Sequence, residues 1–436
     1  MKNVNFFAKA VSIYCICLLS ATVTVHSATK DMTNGKWTIR FNDETRKSEF
    51  VKDGTTILQD VSVKFKHNAS IIESSSYSDI KFSEENYSDA TGECKRFIIE
   101  YKNTENSTYP TIQQCFYLYP DKDYFLTDVF LLSSGTSKIE SNYIAPIYTE
   151  TQNRFLPQDA NNRFLFVPFD NDGFITYGSL PLSRGIDPTS LGVGRYARDT
   201  ISFEVTSIFN GETQEGLVIG SVEHDTWKSA IRMTGSPLSQ ACNKLECYSG
   251  ATHSITRDAT DNNWLQPHGA VKGTKIKSAR MLVGLFDDWR TGMETFGDVN
   301  ALIAPKREWN NPTPFGWNSW GGMERNINFD GVISVSDFIK ENIQGKGHFG
   351  EDGLVFVGLD SFWDNLNWEQ LKQFADYCKA NGQVPGIYWT PFCDWFPEND
   401  RALEGNNGYF YSQTHLKVNG KTKKLCGAGC MDPTAP

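Results

Sequence analysis

The chain has 436 residues, of which 39% are hydrophobic and 13% aromatic. This length and composition allow a large buried core and favour two domains over one. The formal net charge is -10, and no block of lysine and arginine interrupts the sequence, which argues against a nucleic-acid partner.

The first residues have the pattern of a secretory signal peptide. Lys2 and Lys9 precede an apolar run from Ala10 to Val25, and the small residues after it allow cleavage behind Ser27. The run is too short and too polar at its end to span a membrane. We therefore expect residues 1–27 to direct export, and the mature protein to be periplasmic or secreted without a membrane anchor.

The cysteines suggest disulfides rather than a metal site. The close spacings predict two local pairs, Cys242–Cys247 and Cys426–Cys430, which an exported protein allows. Neither pair has the spacing of a zinc site, and the seven histidines form no cluster with ligand spacing. We expect neither a metal nor another cofactor.

Residues 28–300 are typical of an all-β domain. Short runs that alternate polar and apolar residues are separated by Gly, Asn, Asp and Ser. The clearest predicted strands are Trp37–Phe41, Val61–Phe65, Arg96–Glu100, Tyr124–Phe130 and Gly216–Gly220. Many short strands with few helical periods predict a β-sandwich.

The pattern changes near the end of this domain. Helical character over Phe286–Ala301 is followed by a predicted linker, residues 301–312, and then by alternating strands and helices. The predicted strands are Thr313–Trp317, Leu354–Leu359 and Val384–Trp389, and the helix between the last two begins at Asn367 and ends at Asn381–Gly382.

This alternation predicts a parallel α/β domain over residues 313–436, as a doubly wound sheet or as a barrel. No G-x-G-x-x-G sequence follows the first strand, so the phosphate loop of a nucleotide-binding sheet is missing from the sequence. Tryptophan, aspartate and tyrosine, residue types common in sugar sites, occupy the strand ends instead.

Three motifs at these strand ends carry a family resemblance. They are Phe315-Gly316-Trp317-Asn318-Ser319-Trp320, Val357-Gly358-Leu359-Asp360-Ser361-Phe362-Trp363 and Gly386-Ile387-Tyr388-Trp389-Thr390. In this order they resemble the melibiase group of glycoside hydrolases, the retaining α-galactosidases of families 27 and 36. The resemblance covers about residues 312–388. It implies a β-sandwich followed by a (β/α)8 TIM barrel, of which residues 313–436 form the first part, with about three strands.

The resemblance also implies roles for three residues. Trp320 is expected to form an apolar wall against a sugar ring, and Tyr388 to line the same pocket. Asp360 is expected to accept hydrogen bonds from sugar hydroxyls, which charge-assisted hydrogen bonding makes chemically sensible.

Four further residues are candidate substrate contacts. Ser361 stands where the family usually has a second aspartate, which leaves the sugar specificity open. Trp317, Trp363 and Trp389 either contact the sugar or pack within the domain.

The implied function is a retaining exo-α-galactosidase that acts on α-galactosides of oligo- or polysaccharides. Its nucleophile and acid/base come from later strands in this family, so we expect both beyond Pro436. We accordingly expect this chain to be an incomplete fragment, inactive by itself. Two alternatives are a related α-glycosidase with another sugar specificity and a non-catalytic glycan-binding protein built on the β-domain.

Overall fold

The computed structural model describes the chain from residue 29 onward, with several internal gaps. The described residues are 29–106, 108–151, 156, 159–167, 178–182, 201–236, 241–250, 269–310, 314–347, 354–403, 408–425 and 427–435. They fall into two compact units that divide between Pro305 and Lys306. The predicted signal peptide, residues 1–27, lies outside the described residues.

The first unit consists of β-strands and one helix. In chain order these are β1 (Thr29–Asn34), β2 (Trp37–Asn42), β3 (Lys47–Lys52), β4 (Thr55–His67), β5 (Ser70–Glu73), β6 (Asp79–Asp89), β7 (Gly92–Lys102), β8 (Thr111–Leu118), β9 (Tyr124–Leu132), β10 (Ile139–Ser141), β11 (Ile144–Thr149), β12 (Asn162–Phe166), β13 (Gly178–Pro181), β14 (Ile201–Phe203), β15 (Val205–Asn210), β16 (Gly216–Ser221), β17 (Ser229–Ser236), β18 (Ala241–Ser249), β19 (Val271–Gly273), β20 (Lys275–Lys277), β21 (Met281–Phe286) and α1 (Trp289–Ile303). All five strands predicted from the alternating pattern lie within these bounds.

Most of these strands form two large antiparallel sheets. Within the described ranges, one sheet has nine strands in the order β1-β2-β3-β4-β11-β18-β17-β14, with β5 beside β4. The other has ten, in the order β13-β12-β15-β16-β21-β9-β8-β7-β6, with β20 beside β9. The short strands β10 and β19 pair with each other.

The main hydrophobic core lies between the two sheets. In β2, Trp37, Ile39 and Phe41 are fully buried while the intervening residues are only partly buried, which is the two-residue period of a strand with one buried face. Trp37 of the nine-stranded sheet contacts Phe125 of the ten-stranded sheet edge-to-face, with ring centroids 4.9 Å apart. Contacts of this kind across the interior confirm the predicted β-sandwich.

Helix α1 packs on the outer side of the ten-stranded sheet. Asp288 caps it by accepting a hydrogen bond from the Arg290 backbone NH at 2.9 Å, so the helix begins three residues after the predicted start at Phe286, which ends β21. The helix approaches the sheet closely. A Cβ added to Gly220 would lie 2.5 Å from a ring carbon of Phe296, so this contact requires glycine.

The prediction of a Cys242–Cys247 disulfide is wrong. Both residues lie on the single strand β18, and both are buried free thiols. An extended strand rises about 3.3 Å per residue, so two cysteines five positions apart on one strand are too far apart to bond. Cys426, of the second predicted pair, lies outside the described residues.

The second unit begins with a parallel β-α-β-α-β segment. Its elements are β22 (Gly316–Asn318), α2 (Phe329–Asn342), β23 (Val355–Leu359), α3 (Trp368–Ala380), β24 (Gln383–Ile387), β25 (Cys393–Asp394), α4 (Tyr411–Thr414), β26 (Lys417–Val418), β27 (Lys421–Thr422), β28 (Lys424–Leu425) and β29 (Ala428–Cys430). Strand β23 lies between β22 and β24 and pairs in parallel with both. The predicted alternation of strands and helices is therefore confirmed.

Helix α3 shows why this segment could be predicted from the sequence. Asn367 accepts a hydrogen bond from the Gln370 backbone NH at 3.0 Å, and the Gln370 side chain accepts one from the Asn367 backbone NH at 3.0 Å. This capping box fixes the first turn. Phe374 and Cys378 are buried in the core of this unit, and Gly382 adopts a φ of 73° just after the helix end, as predicted.

None of the helices among the described residues is long and apolar enough to cross a membrane. In the same part of the chain, no group of three or more His, Cys, Asp and Glu side chains is arranged to hold a metal ion.

Candidate functional site

The three sequence motifs meet at one edge of the parallel sheet. Asn318 pairs with Gly358, and Leu359 pairs with Ile387, so β22, β23 and β24 end at the same level. The Tyr388 backbone NH donates a hydrogen bond to the Leu359 carbonyl at 2.6 Å, which continues the ladder beyond β24. Residues just after parallel strands lie at the carboxyl edge, where the active sites of barrel enzymes are found.

Asp360 is held at this edge by neighbours from two strand ends. Its Oδ2 accepts a hydrogen bond from Asn318 Nδ2 at 2.8 Å, and its Oδ1 accepts one from the Ser361 backbone NH at 2.6 Å. Its own backbone NH donates to Ser319 Oγ at 2.8 Å. The main chain and the carboxylate are therefore both fixed by residues at the ends of β22 and β23.

The Asp360 carboxylate retains hydrogen-bonding capacity. An ionised carboxylate has about four acceptor sites, and two protein donors use only part of them. Asp360 is half-buried, so the remaining acceptor sites are within reach of a ligand hydroxyl. A fixed, partly open carboxylate of this kind suits the recognition of a polyol.

Asn318 and Ser319 contribute to the site although the sequence assigned them no role. Asn318 Oδ1 also accepts a hydrogen bond from the Trp320 backbone NH at 2.8 Å, so one amide side chain contacts both the Trp320 turn and Asp360. The signal in the sequence was an Asn-Ser pair directly after the predicted strand Thr313–Trp317, since both residue types form hydrogen bonds readily with nearby backbone. The sequence did not indicate that these two residues lie next to Asp360.

Trp320 forms an aromatic pair with Phe362. Their rings are nearly parallel, with an interplanar angle of 15° and centroids 6.4 Å apart. Both are substantially exposed, Trp320 at 44% and Phe362 at 37%. The Arg325 guanidinium carbon lies 5.7 Å from the centroid of the Phe362 ring, within the range of a cation–π contact.

Phe362 has a strained backbone. Its φ is 71°, in the left-handed region that bulky residues rarely adopt. Such conformations persist where the surrounding structure requires them and are frequent at functional sites. Sequence analysis missed Phe362, because no letter in Asp360-Ser361-Phe362-Trp363 indicates a positive φ.

The other predicted site tryptophans differ in exposure. Trp317 and Trp363 are partly buried and pack against the hydrophobic core of this unit, which gives each a packing contact. Trp389 is 71% exposed and Tyr388 is 41% exposed. Both follow β24, which ends at Ile387, two residues before the predicted end of that strand.

A second acidic residue near the strand ends, Asp394, serves a different purpose. Its fully buried carboxylate contacts Arg401 Nη2 at 3.1 Å and His415 Nε2 at 2.9 Å. Burial opposes ionisation of Asp394, but the Phe396 backbone NH, Arg401 and His415 outweigh it and hold the pKa of this carboxyl below its usual value. These partners occupy the carboxylate, which indicates a structural role.

Comparisons with known proteins identify relatives only among solved structures. No protein-family model matches the chain, and no curated protein sequence does. The α-N-acetylgalactosaminidase NagBb of Bifidobacterium bifidum in its GalNAc complex is 10% identical, with a TM-score of 0.53, over 92% of this chain and 65% of that one. Its complex with Gal-NHAc-DNJ gives 10% identity and a TM-score of 0.51, over 92% and 64%.

A further match is the GH36 α-galactosidase AgaB of Geobacillus stearothermophilus. It is 9% identical with a TM-score of 0.47, over 94% of this chain and 61% of that one. The chain thus spans less than two thirds of each of these proteins. At such identities the likeness concerns the fold, and at that level the NagBb matches confirm the resemblance drawn from the motifs.

Proposed function

We propose that this chain forms part of a glycoside hydrolase, a retaining exo-α-galactosidase that acts on α-galactosides of oligo- or polysaccharides. The observation that carries the proposal is the fixed Asp360 carboxylate, which is bonded to Asn318 at the carboxyl edge of the parallel sheet and remains partly open. The shared fold with NagBb, described as an α-N-acetylgalactosaminidase, supports the same class of enzyme.

Within this proposal, Asp360 accepts hydrogen bonds from hydroxyls of the terminal sugar. Trp320 and Tyr388 supply aromatic surface beside it, since the apolar face of a sugar ring packs well on an aromatic ring. Ser361 contributes its backbone NH to the orientation of Asp360 and offers a neutral hydroxyl. Nothing in this recognition chemistry requires a cofactor.

A retaining mechanism requires two carboxyl groups about 5–5.5 Å apart, one as nucleophile and one as acid/base. We assign neither role within residues 1–436. Asp394 is the most fully buried carboxylate near the strand ends, and its contacts with Arg401 and His415 disqualify it as a nucleophile.

One observation favours a second candidate, a related α-glycosidase with another sugar specificity. Ser361 is shorter than an aspartate and carries no charge, so an equatorial or substituted sugar position can be accommodated where a carboxylate would demand a hydroxyl. The fold match to NagBb, recorded with GalNAc bound, points the same way.

The first experiment measures sugar binding by the 436-residue chain. Calorimetric titration with galactose, N-acetylgalactosamine and arabinose compares the wild type with Asp360→Asn and with Asp376→Asn, which changes an exposed carboxylate on α3. A charge-assisted hydrogen bond contributes about 1.5–3 kcal/mol, so Asp360→Asn should weaken binding about 10- to 100-fold. Asp376→Asn should leave binding unchanged.

Equal affinities for wild type and Asp360→Asn would contradict the proposed site. Saturable binding by residues 28–300 alone, with no hydrolysis by the protein expressed from its complete coding sequence, would instead support a non-catalytic glycan-binding protein. Rates of that protein on aryl α-galactoside, α-N-acetylgalactosaminide and β-arabinopyranoside then separate the two hydrolase candidates.

A further inference from the structure

Two cysteines face each other across a short antiparallel ladder in the second unit. Cys393 of β25 is paired with Cys430 of β29, and Asp394 is paired with Gly429 in the next position. The two cysteines are 37 positions apart in the chain, since 430 − 393 = 37. Both are free thiols of intermediate exposure.

Cys393 and Cys430 occupy a non-hydrogen-bonded position of the antiparallel ladder, since the backbone of Cys430 bonds to other residues. The Cys430 backbone NH donates to the Lys423 carbonyl at 2.8 Å, and its carbonyl accepts from the Leu416 NH at 2.9 Å, so both groups are engaged away from β25. A backbone hydrogen bond joins the two segments at the neighbouring position, where the Met431 NH donates to the Phe392 carbonyl at 2.9 Å.

This geometry suits a covalent bond between the side chains. In a non-hydrogen-bonded antiparallel pair the α-carbons lie about 4.5 Å apart, and the side chains are closer than in the hydrogen-bonded positions. Disulfides require α-carbons about 4.4–6.8 Å apart with side chains that point toward each other. Cys393 and Cys430 meet the distance requirement because they are directly paired. Their side chains meet the orientation requirement because paired residues lie on the same face of the ladder.

We propose that Cys393 and Cys430 form a disulfide bond. One cysteine thiolate attacks a small-molecule or protein disulfide and expels one of its sulfurs as a thiolate, which leaves a mixed disulfide on the chain. The second cysteine then attacks its partner's sulfur and expels the other thiolate. Two cysteine thiols are thereby oxidised to one disulfide, the oxidant is reduced to two thiols, and these carry the two displaced protons.

The other cysteines of the described residues are poor candidates for the same chemistry. All five are buried, unlike Cys393 and Cys430; they are Cys94, Cys115, Cys242, Cys247 and Cys378. Burial raises the pKa of Cys94 to about 11 and that of Cys115 to about 12, which disfavours the reactive thiolate.

The bond would stabilise a segment with little regular structure of its own. The ladder between β25 and β29 has two residue pairs, and short strands of this kind are marginal without further support. Cys393 is also adjacent to Asp394, whose ion pair with Arg401 and hydrogen bond with His415 hold the same segment. The disulfide therefore restrains the chain that follows Tyr388 and Trp389.

The test is a peptide map of the full chain after incubation with glutathione disulfide and blocking of free thiols. Trypsin releases Cys393 in the peptide Ala380–Arg401, and Cys426 together with Cys430 in the peptide that begins at Leu425. We expect these two peptides to be linked before reduction and separate after it. The link should persist in Cys426→Ser and disappear in Cys430→Ser.

Three results would overturn the proposal: blocking reagent on both Cys393 and Cys430, an internal Cys426–Cys430 bond, or loss of the link in Cys426→Ser.

Hydrogen exchange of the wild-type chain provides a second test, which needs no variant. Reduction should accelerate hydrogen exchange of the amides in residues 408–425 by about tenfold or more, because the closed loop restrains their opening. An unchanged exchange rate after reduction of a verified bond would contradict the restraining role.

Discussion

Asp128 provides the sharpest test of how the β-sandwich is stabilised. Its carboxylate is fully buried on β9, where Arg280 Nε lies 2.9 Å away and Lys277 Nζ 3.4 Å away. The Tyr117 hydroxyl donates to it at 3.2 Å. Replacement of Asp128 by asparagine removes one negative charge from a site that holds two cations and leaves the volume almost unchanged.

The expected cost follows from what each partner loses. Breaking a buried ion pair from one side usually costs about 3–5 kcal/mol, because the remaining charge stays buried. Arg280 retains Asp89 at 3.2 Å, and the substituted amide can still accept one hydrogen bond, so the lower end of this range applies. We expect Asp128→Asn to reduce the free energy of unfolding of the first unit by about 3 kcal/mol.

An exposed pair in the same unit supplies the matched control. Arg40 binds Asp31 with two hydrogen bonds, at 2.9 Å and 3.1 Å, and the side chains are 36% and 44% exposed. The geometry of this pair is bidentate, yet solvent screens it. Asp31→Asn should therefore cost less than about 1 kcal/mol.

Hydrogen exchange in increasing urea measures both changes. Amides of β8 and β9 report the opening of the first unit separately from the second, and the free energy of their global opening is compared among the three proteins. If Asp31→Asn proved as costly as Asp128→Asn, the reasoning from burial would be refuted, and hydrogen-bond geometry would be the deciding factor.

Two further predictions concern single contacts. His224 Nδ1 lies 2.7 Å from Glu204 Oε2, and His224 Nε2 lies 2.6 Å from Asn300 Oδ1. The pKa of His224 is raised, and the main cause is the hydrogen bond with Glu204. The contribution of protonated His224 to the stability of the folded state should be complete below about pH 6.5, the pKa of an unfolded histidine, and be lost as the pH rises through the folded pKa. Thermal unfolding of His224→Gln should therefore lack that pH dependence. Asn367→Ala should destabilise α3 by about 1 kcal/mol and Asn367→Gly by a few tenths, read from amide exchange of the helix. Unchanged exchange in Asn367→Ala would mean that the side-chain cap contributes little.

The parts of the fold that depend on local sequence were predictable. The capping box joins Asn367 and Gln370, which are only three positions apart, and the burial pattern of β2 follows from the alternation of its side chains. Both signals need only the geometry of one element. The order of the strands in the two large sheets had no such signal, because it is decided by pairing between distant segments.

The candidate site was predictable only in part for the same reason. Its location followed from the rule that parallel strands end at one edge, which placed Asp360 and Tyr388 near each other. The bond from Asn318 to Asp360 and the left-handed conformation of Phe362 arise from tertiary structure. The cysteines show the same limit, since close spacing favoured Cys242–Cys247 whereas the strand keeps those two residues apart.

On the proposed function, the hydrogen bond between Asn318 and Asp360 also links ligand binding to folding. These residues are 42 positions apart, and their contact requires β22, only three residues long, to pair with β23 in the correct register. A slip of one residue would turn Asn318 to the opposite face of the sheet. Contacts of this sequence separation form late because the intervening loop must first be closed. Ligand affinity should therefore appear in step with the parallel sheet during refolding, so a ligand can serve as a probe of strand register.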